Sequence, residues 1–132
     1  MTDLLVGVGG QKIDADAFLY GTDNPVPPAG TLQLQGPGNT LVGYRIPMPG
    51  QIVAVSIQVD VADGTRTYNL EVRKNGVAVV TLALALGVTG ANVSGLSVSF
   101  VAGDVLTVFM VKTAGAGLST FSQETAVVEV AI

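Results

Sequence analysis

Apolar and polar residues alternate with a period of two over most of the second half of this chain. From Gln51 to Val61, the residues Val53, Val55, Ile57, Val59 and Val61 share one face, and Ala54, Ser56, Gln58 and Asp60 share the other. That period predicts a half-buried strand. Asp63-Gly64 then turns the chain. Tyr68, Leu70 and Val72 alternate with Asn69, Glu71 and Arg73 and predict a second strand. Asn75-Gly76 follows at once and predicts a hairpin, because both central residues of such a turn need positive φ. The return strand, Val77 to Leu86, is apolar on both faces and is expected to be covered on both sides.

Val88 to Gly95 reads as a loop of small residues. Leu96, Val98 and Phe100 alternate with Ser97 and Ser99. Ala102-Gly103-Asp104 turns tightly into Val105–Val111, and Ala114–Gly117 forms a glycine-rich tip. Phe121 to Ile132 closes the chain, with Ala126, Val128, Val130 and Ile132 on one face. Ile13 to Phe18 also alternates and fits an N-terminal strand.

The first half differs in texture. Tyr20–Gly30 and Gln35–Asn39 are rich in proline and glycine, which fix or free φ and interrupt ladders. The stretch 20–40 therefore reads as a long surface loop or as an arm reaching a neighbouring subunit. No window repeats apolar residues at helical spacing. The pattern predicts an all-β fold, an antiparallel β-sandwich that is jelly-roll-like, with an extended N-terminal arm. Residues 1–40 would hold the arm and N-terminal strands, and residues 41–132 the sandwich core. The expected core is Val53, Val55, Ile57, Val59, Tyr68, Leu70, Val72, Leu96, Val98, Phe100, Leu106, Val108 and Met110.

Composition sharpens this picture. The chain is 48% hydrophobic and 12% charged over 132 residues, with a mean hydropathy of +0.56. A soluble domain carries roughly twice that charge fraction, so apolar surface is left for copies of the chain or a larger lattice to cover. The longest apolar run, Val77 to Val88, is shorter than the roughly 20 residues that cross a bilayer. The start, Met1-Thr-Asp-Leu-Leu, has no basic n-region of a secretory signal, so a soluble protein made in the cytoplasm is expected. A net charge of −4, with the basic residues Lys12, Arg45, Arg66, Arg73, Lys74 and Lys112 scattered, gives no reason to expect nucleic-acid binding.

Candidate chemistry is sparse. There is no histidine, cysteine or tryptophan, which removes the commonest general base and every thiolate site. Asp14 and Asp16 would share a strand face, as paired carboxylates that hold a cation do, but no third ligand lies nearby. Asp60 to Gly64 resembles a calcium loop only loosely, and Asx-turn chemistry accounts for Asp63-Gly64 without a metal. Ser97 and Ser99 are the polar face of a strand. Gly7-Val8-Gly9-Gly10 lacks the helix and Gly-Lys-Ser/Thr ending of a phosphate cradle, and Lys12 has no Ser-x-x-Lys partner. Tyr44 with Arg45 is the exposed pair best suited to a sugar. Neither catalytic, cofactor nor metal residues are expected, and the chain is not expected to be an enzyme.

Three segments carry a resemblance. Tyr44 to Val59, YRIPMPGQIVAVSIQV, resembles a turn, P-x-x-G-x-[IV], that leads into the first core strand of small phage virion sandwiches; Pro47, Gly50 and Ile52 fill it. Tyr68 to Leu82, YNLEVRKNGVAVVTL, is similar to their hairpin. Val98 to Val111, VSFVAGDVLTVFMV, resembles their Ala-Gly-Asp strand pair, a motif shared with trimeric jelly rolls of the complement and tumour-necrosis-factor type. The resemblance covers about residues 42–113. It implies a small trimeric jelly-roll virion protein of tailed bacteriophages. The role implied is a capsid cement or decoration protein, located in the virion, that binds the major capsid protein outside the head as a homotrimer. A tail or fibre-tip protein that binds host carbohydrate is the alternative. Neither role involves a cofactor, nucleic acid or membrane. The surfaces expected to make contact are the second face of Val77–Leu86, Phe109 and the 20–40 arm.

Overall fold

The computed structural model describes residues 15–132, which form ten strands in chain order. These are β1 (Ala15–Thr22), β2 (Thr31–Leu34), β3 (Tyr44–Arg45), β4 (Gly50–Val59), β5 (Thr67–Lys74), β6 (Val77–Leu84), β7 (Gly90–Val93), β8 (Val98–Phe100), β9 (Val105–Ala114) and β10 (Glu124–Ala131). A single 3-10 turn at Pro37–Asn39 is the one helical element among the described residues. The strands build two antiparallel sheets. One runs β1-β10-β4-β7, with β8 also on β4; the other runs β2-β9-β5-β6, with β3 also on β9. The chain therefore crosses repeatedly between sheets, and β5–β6 is the one tight hairpin within a sheet. This is the winding of a jelly roll, as the alternation predicted.

The two inner faces supply the core. Val55, Ile57, Val59, Tyr68, Leu70, Val72, Phe100, Leu106, Val108 and Met110 are buried as expected, and Leu96 and Val98 pack against them. Val53 departs from expectation. Ala54 pairs with Glu129 but Ile52 pairs with Val130, so Val53 is the extra residue of a β-bulge. A bulge shifts the alternation by one, and Ile52 takes the core position instead. Beyond β4 the alternation ends, and Val61 is exposed.

Two further expectations change. The Val88–Gly95 loop contains β7, paired to β4 through Val55–Val93 and Ile57–Ala91. The return strand β6 lies at a sheet edge, and the described residues do not cover both of its faces. Val80 and Leu84 are buried, whereas Val77 and Ala83 face solvent.

The stretch 20–40 packs on its own sandwich instead of reaching outward. Tyr20, Val26 and Leu34 are buried, Tyr20 Oη donates to Leu106 O at 2.7 Å, and Val26 N–H donates to Ser119 Oγ at 2.9 Å. Gly21 and Gln35 exchange backbone hydrogen bonds of 2.9 and 2.8 Å, tying β1 to the end of β2. The N-terminal strands placed in 1–40 thus belong to both sheets. Residues 1–14 of the expected arm lie outside the described residues.

Candidate interaction surfaces

One end of the sandwich is made by three interlocked turns. Asn75 (φ 52) and Gly76 (φ 86) form the predicted left-handed turn. The Asn75 amide then locks onto the β8–β9 turn: its Nδ2 donates to Asp104 Oδ1 at 2.8 Å, and its Oδ1 accepts from Val105 N–H at 2.9 Å. Asp104 Oδ2 accepts from Val101 N–H at 2.9 Å. That hydrogen bond, followed by the Asn75 amide, holds the Asp104 carboxyl below its ordinary value. The β3–β4 turn joins in, with Ile46 N–H donating to Asp104 O at 2.8 Å and Gly103 N–H to Ile46 O at 2.7 Å. These turns carry the side chains of Met48, Val77 and Val101, which are 50, 66 and 60% exposed. Ile132, beyond the end of β10, is exposed at the same end. The end is thus cross-braced by hydrogen bonds and carries four exposed apolar side chains.

The opposite end is organised by buried Asp63. Its Oδ1 accepts from Thr65 N–H and Arg66 N–H, both at 3.0 Å, which is the predicted Asx turn. Its Oδ2 accepts from Tyr68 Oη at 2.7 Å and Thr120 N–H at 3.3 Å, with the Arg66 guanidinium 3.3 Å away. Burial alone would raise this carboxyl. Donation by Tyr68, Thr65, Thr120 and Arg66 outweighs burial and holds it well below the usual carboxylate range. Burial, and then the Asp63 carboxylate, push the Tyr68 hydroxyl up.

A groove of about 550 Å³ opens beside β1, lined by residues that include Thr22, Asp23, Gln35, Asn39 and Tyr44. Tyr44 is half-buried rather than a free platform. Its ring stacks on Phe18 at 4.6 Å and meets Tyr20 edge-on at 5.2 Å, and its hydroxyl donates to Leu19 O. Arg45 is turned away to Gly103 O, 3.1 Å distant.

The other sequence candidates are dispersed. Asp14, Lys12 and Gly7–Gly10 lie outside the described residues, as does the side chain of Asp16. Asp60 accepts from the Ser122 and Gln123 amides at 3.1 and 3.3 Å. Among the described residues no three acidic groups gather into a metal site. Ser97 Oγ donates to Gln51 Oε1. Phe109 lies under the Arg73 guanidinium, 3.8 Å from its ring centroid, and Glu71 holds that guanidinium at 2.8 Å. Glu124, not among the sequence candidates, is buried at the start of β10. The signal was available: Glu124 is in phase with the core residues Ala126, Val128 and Val130.

No family model and no curated protein sequence matches the chain. Solved structures do. A chain of the cyanophage Pam1 capsid asymmetric unit superposes with a TM-score of 0.54 at 16% identity, covering 98% of this chain and 94% of that one. The two share a fold. The crystal structure of FLHE also aligns, with a TM-score of 0.48 at 11% identity over 89% of this chain and 98% of that one.

Proposed function

We propose that this chain is a structural protein of a phage virion, a cement protein that seats on the outside of the head as a trimer and bridges capsomers. The observation that carries this reading is the end-to-end likeness to a chain of the Pam1 capsid unit, in which nearly all of each chain is matched. The apolar turn end supports it, because Met48, Val77 and Val101 leave solvent only when a partner covers them. Each Å² of apolar surface removed from water contributes about 25 cal/mol before ordering and docking costs are subtracted. A trimer multiplies the effect, since each docked copy raises the effective concentration of the next.

The test is co-sedimentation with empty expanded heads of the phage that encodes the chain. The protein is expected to bind and to raise the temperature at which the heads fall apart. The double variant Val77→Lys, Val101→Lys, altered at exposed positions, is expected to keep its own melting temperature and lose binding by at least about tenfold. Adhesion to host cells without binding to heads would overturn the cement reading in favour of a tail tip. Light scattering checks the trimer separately: the expected mass is three times 13.4 kDa.

A further inference from the structure

Glu124 is 1% exposed, and among the described residues neither of its carboxyl oxygens has a hydrogen-bond partner. Its strand neighbours are Thr22 on β1 and Val59 on β4, and neither supplies a charge. The charged groups that act on it are Asp60, just past β4, and Asp23, just past β1; both are acidic, and among the described residues no cation opposes them. An ionised carboxylate here would be shut away from bulk solvent with no donor or counter-ion among the described residues, a very expensive state for a carboxyl. A native structure rarely leaves such a group unexplained.

We propose that a proton held on Glu124 locks this end of the sandwich. The protein is strongest while the proton is bound, and it loosens where β1, β10 and β4 meet as the carboxyl ionises. Burial, then Asp60 and Asp23, push the group up to about 8, against about 4.3 for a free glutamate. The sign follows. Between those two values the unfolded chain has released the proton and the folded chain still holds it. Stability attributable to Glu124 is therefore complete below about pH 4.3 and is lost progressively up to about pH 8. Above that value the carboxylate must be hydrated, and the simplest route is local opening of the β1 edge. This device is independent of the cement role.

The experiment compares the wild type with Glu124→Gln, which keeps the shape of the neutral acid at every pH. The wild-type melting temperature is expected to fall by roughly 5–10 °C relative to the variant between about pH 5 and pH 9. At the upper pH, amide exchange at Thr22 and Val59 should be faster in the wild type than in the variant. Parallel melting curves would overturn the proposal. So would a rise in the wild-type alkaline melting temperature on adding calcium chloride that the variant does not share, since Glu124 would then hold a cation. If Glu124→Gln fails to fold, carbon-13 NMR of the wild-type glutamate carboxyls decides. One of them is expected to titrate well above the ordinary range, and none doing so would refute the lock.

Discussion

At the scale of single residues, two buried carboxyls pull stability in opposite directions with pH. Among the described residues, Asp63 is surrounded by donors and Glu124 by none. The folded-state value of Asp63 is depressed, so its contribution is present above about pH 3.9 and is lost as pH falls through the folded value. Combined with the opposite trend of Glu124, this places the maximum of the two contributions near about pH 4. Asp63→Asn keeps the size of the side chain but gives up the charge that Tyr68, Arg66 and two further amides converge on. A loss of about 2–4 kcal/mol is expected in urea unfolding. The sequence made the Asx turn at Asp63 legible, because that turn is local. The Thr120 partner was not, because it lies 57 residues away along the chain.

At the scale of elements, alternation read correctly along the regular stretches of half-buried strand, as in β5, β9 and β4 from Val55 onward. It failed where geometry breaks the period or burial comes from elsewhere. Val53 gave no sign of its bulge, since Ile52 and Val53 are equally apolar. The short strand β7 is built of Gly90, Ala91, Asn92 and Val93, residues as typical of loops. β6 reads as a doubly covered strand yet occupies an edge, because composition reports what a surface prefers and not what lies against it. The hairpin turn offers a clean test. A Cβ added at Gly76 meets nothing within 4 Å, but φ there is +86, so Gly76→Ala is opposed by backbone conformation alone. A loss of about 1 kcal/mol is expected. At Gly64 a Cβ is equally unobstructed and φ is not positive. Gly64→Ala is therefore expected to be neutral or to stabilise by up to about 1 kcal/mol through the unfolded chain. Equal effects of the two substitutions in chemical denaturation would contradict the turn assignment.

At the scale of the whole molecule, the proline- and glycine-rich texture of residues 20–40 suggested a segment reaching away from the sandwich. The topology shows why composition misled. In this winding the chain lays β1 at the edge of one sheet and β2 at the edge of the other, so the intervening turns must be irregular even though both strands are structural. Val26 sits in such a turn and is wholly buried; Leu34, at the end of β2, is 1% exposed. Tyr20 spans the interior to reach Leu106 O on the opposite sheet. A chain beginning at Leu41 would lose all three side chains and expose the flanks of β10 and β9, the central strands that β1 and β2 cover. Each large buried side chain removed costs about 2–5 kcal/mol, so three together match or exceed the entire stability of a typical domain. A chain beginning at Ala15 keeps every described contact. The expected outcome is that truncation to Leu41 abolishes the cooperative thermal transition seen by circular dichroism, while truncation to Ala15 preserves it. A cooperative transition in the shorter chain would show that the sandwich closes without its first two strands, and that residues 15–40 are the separable arm their composition suggests.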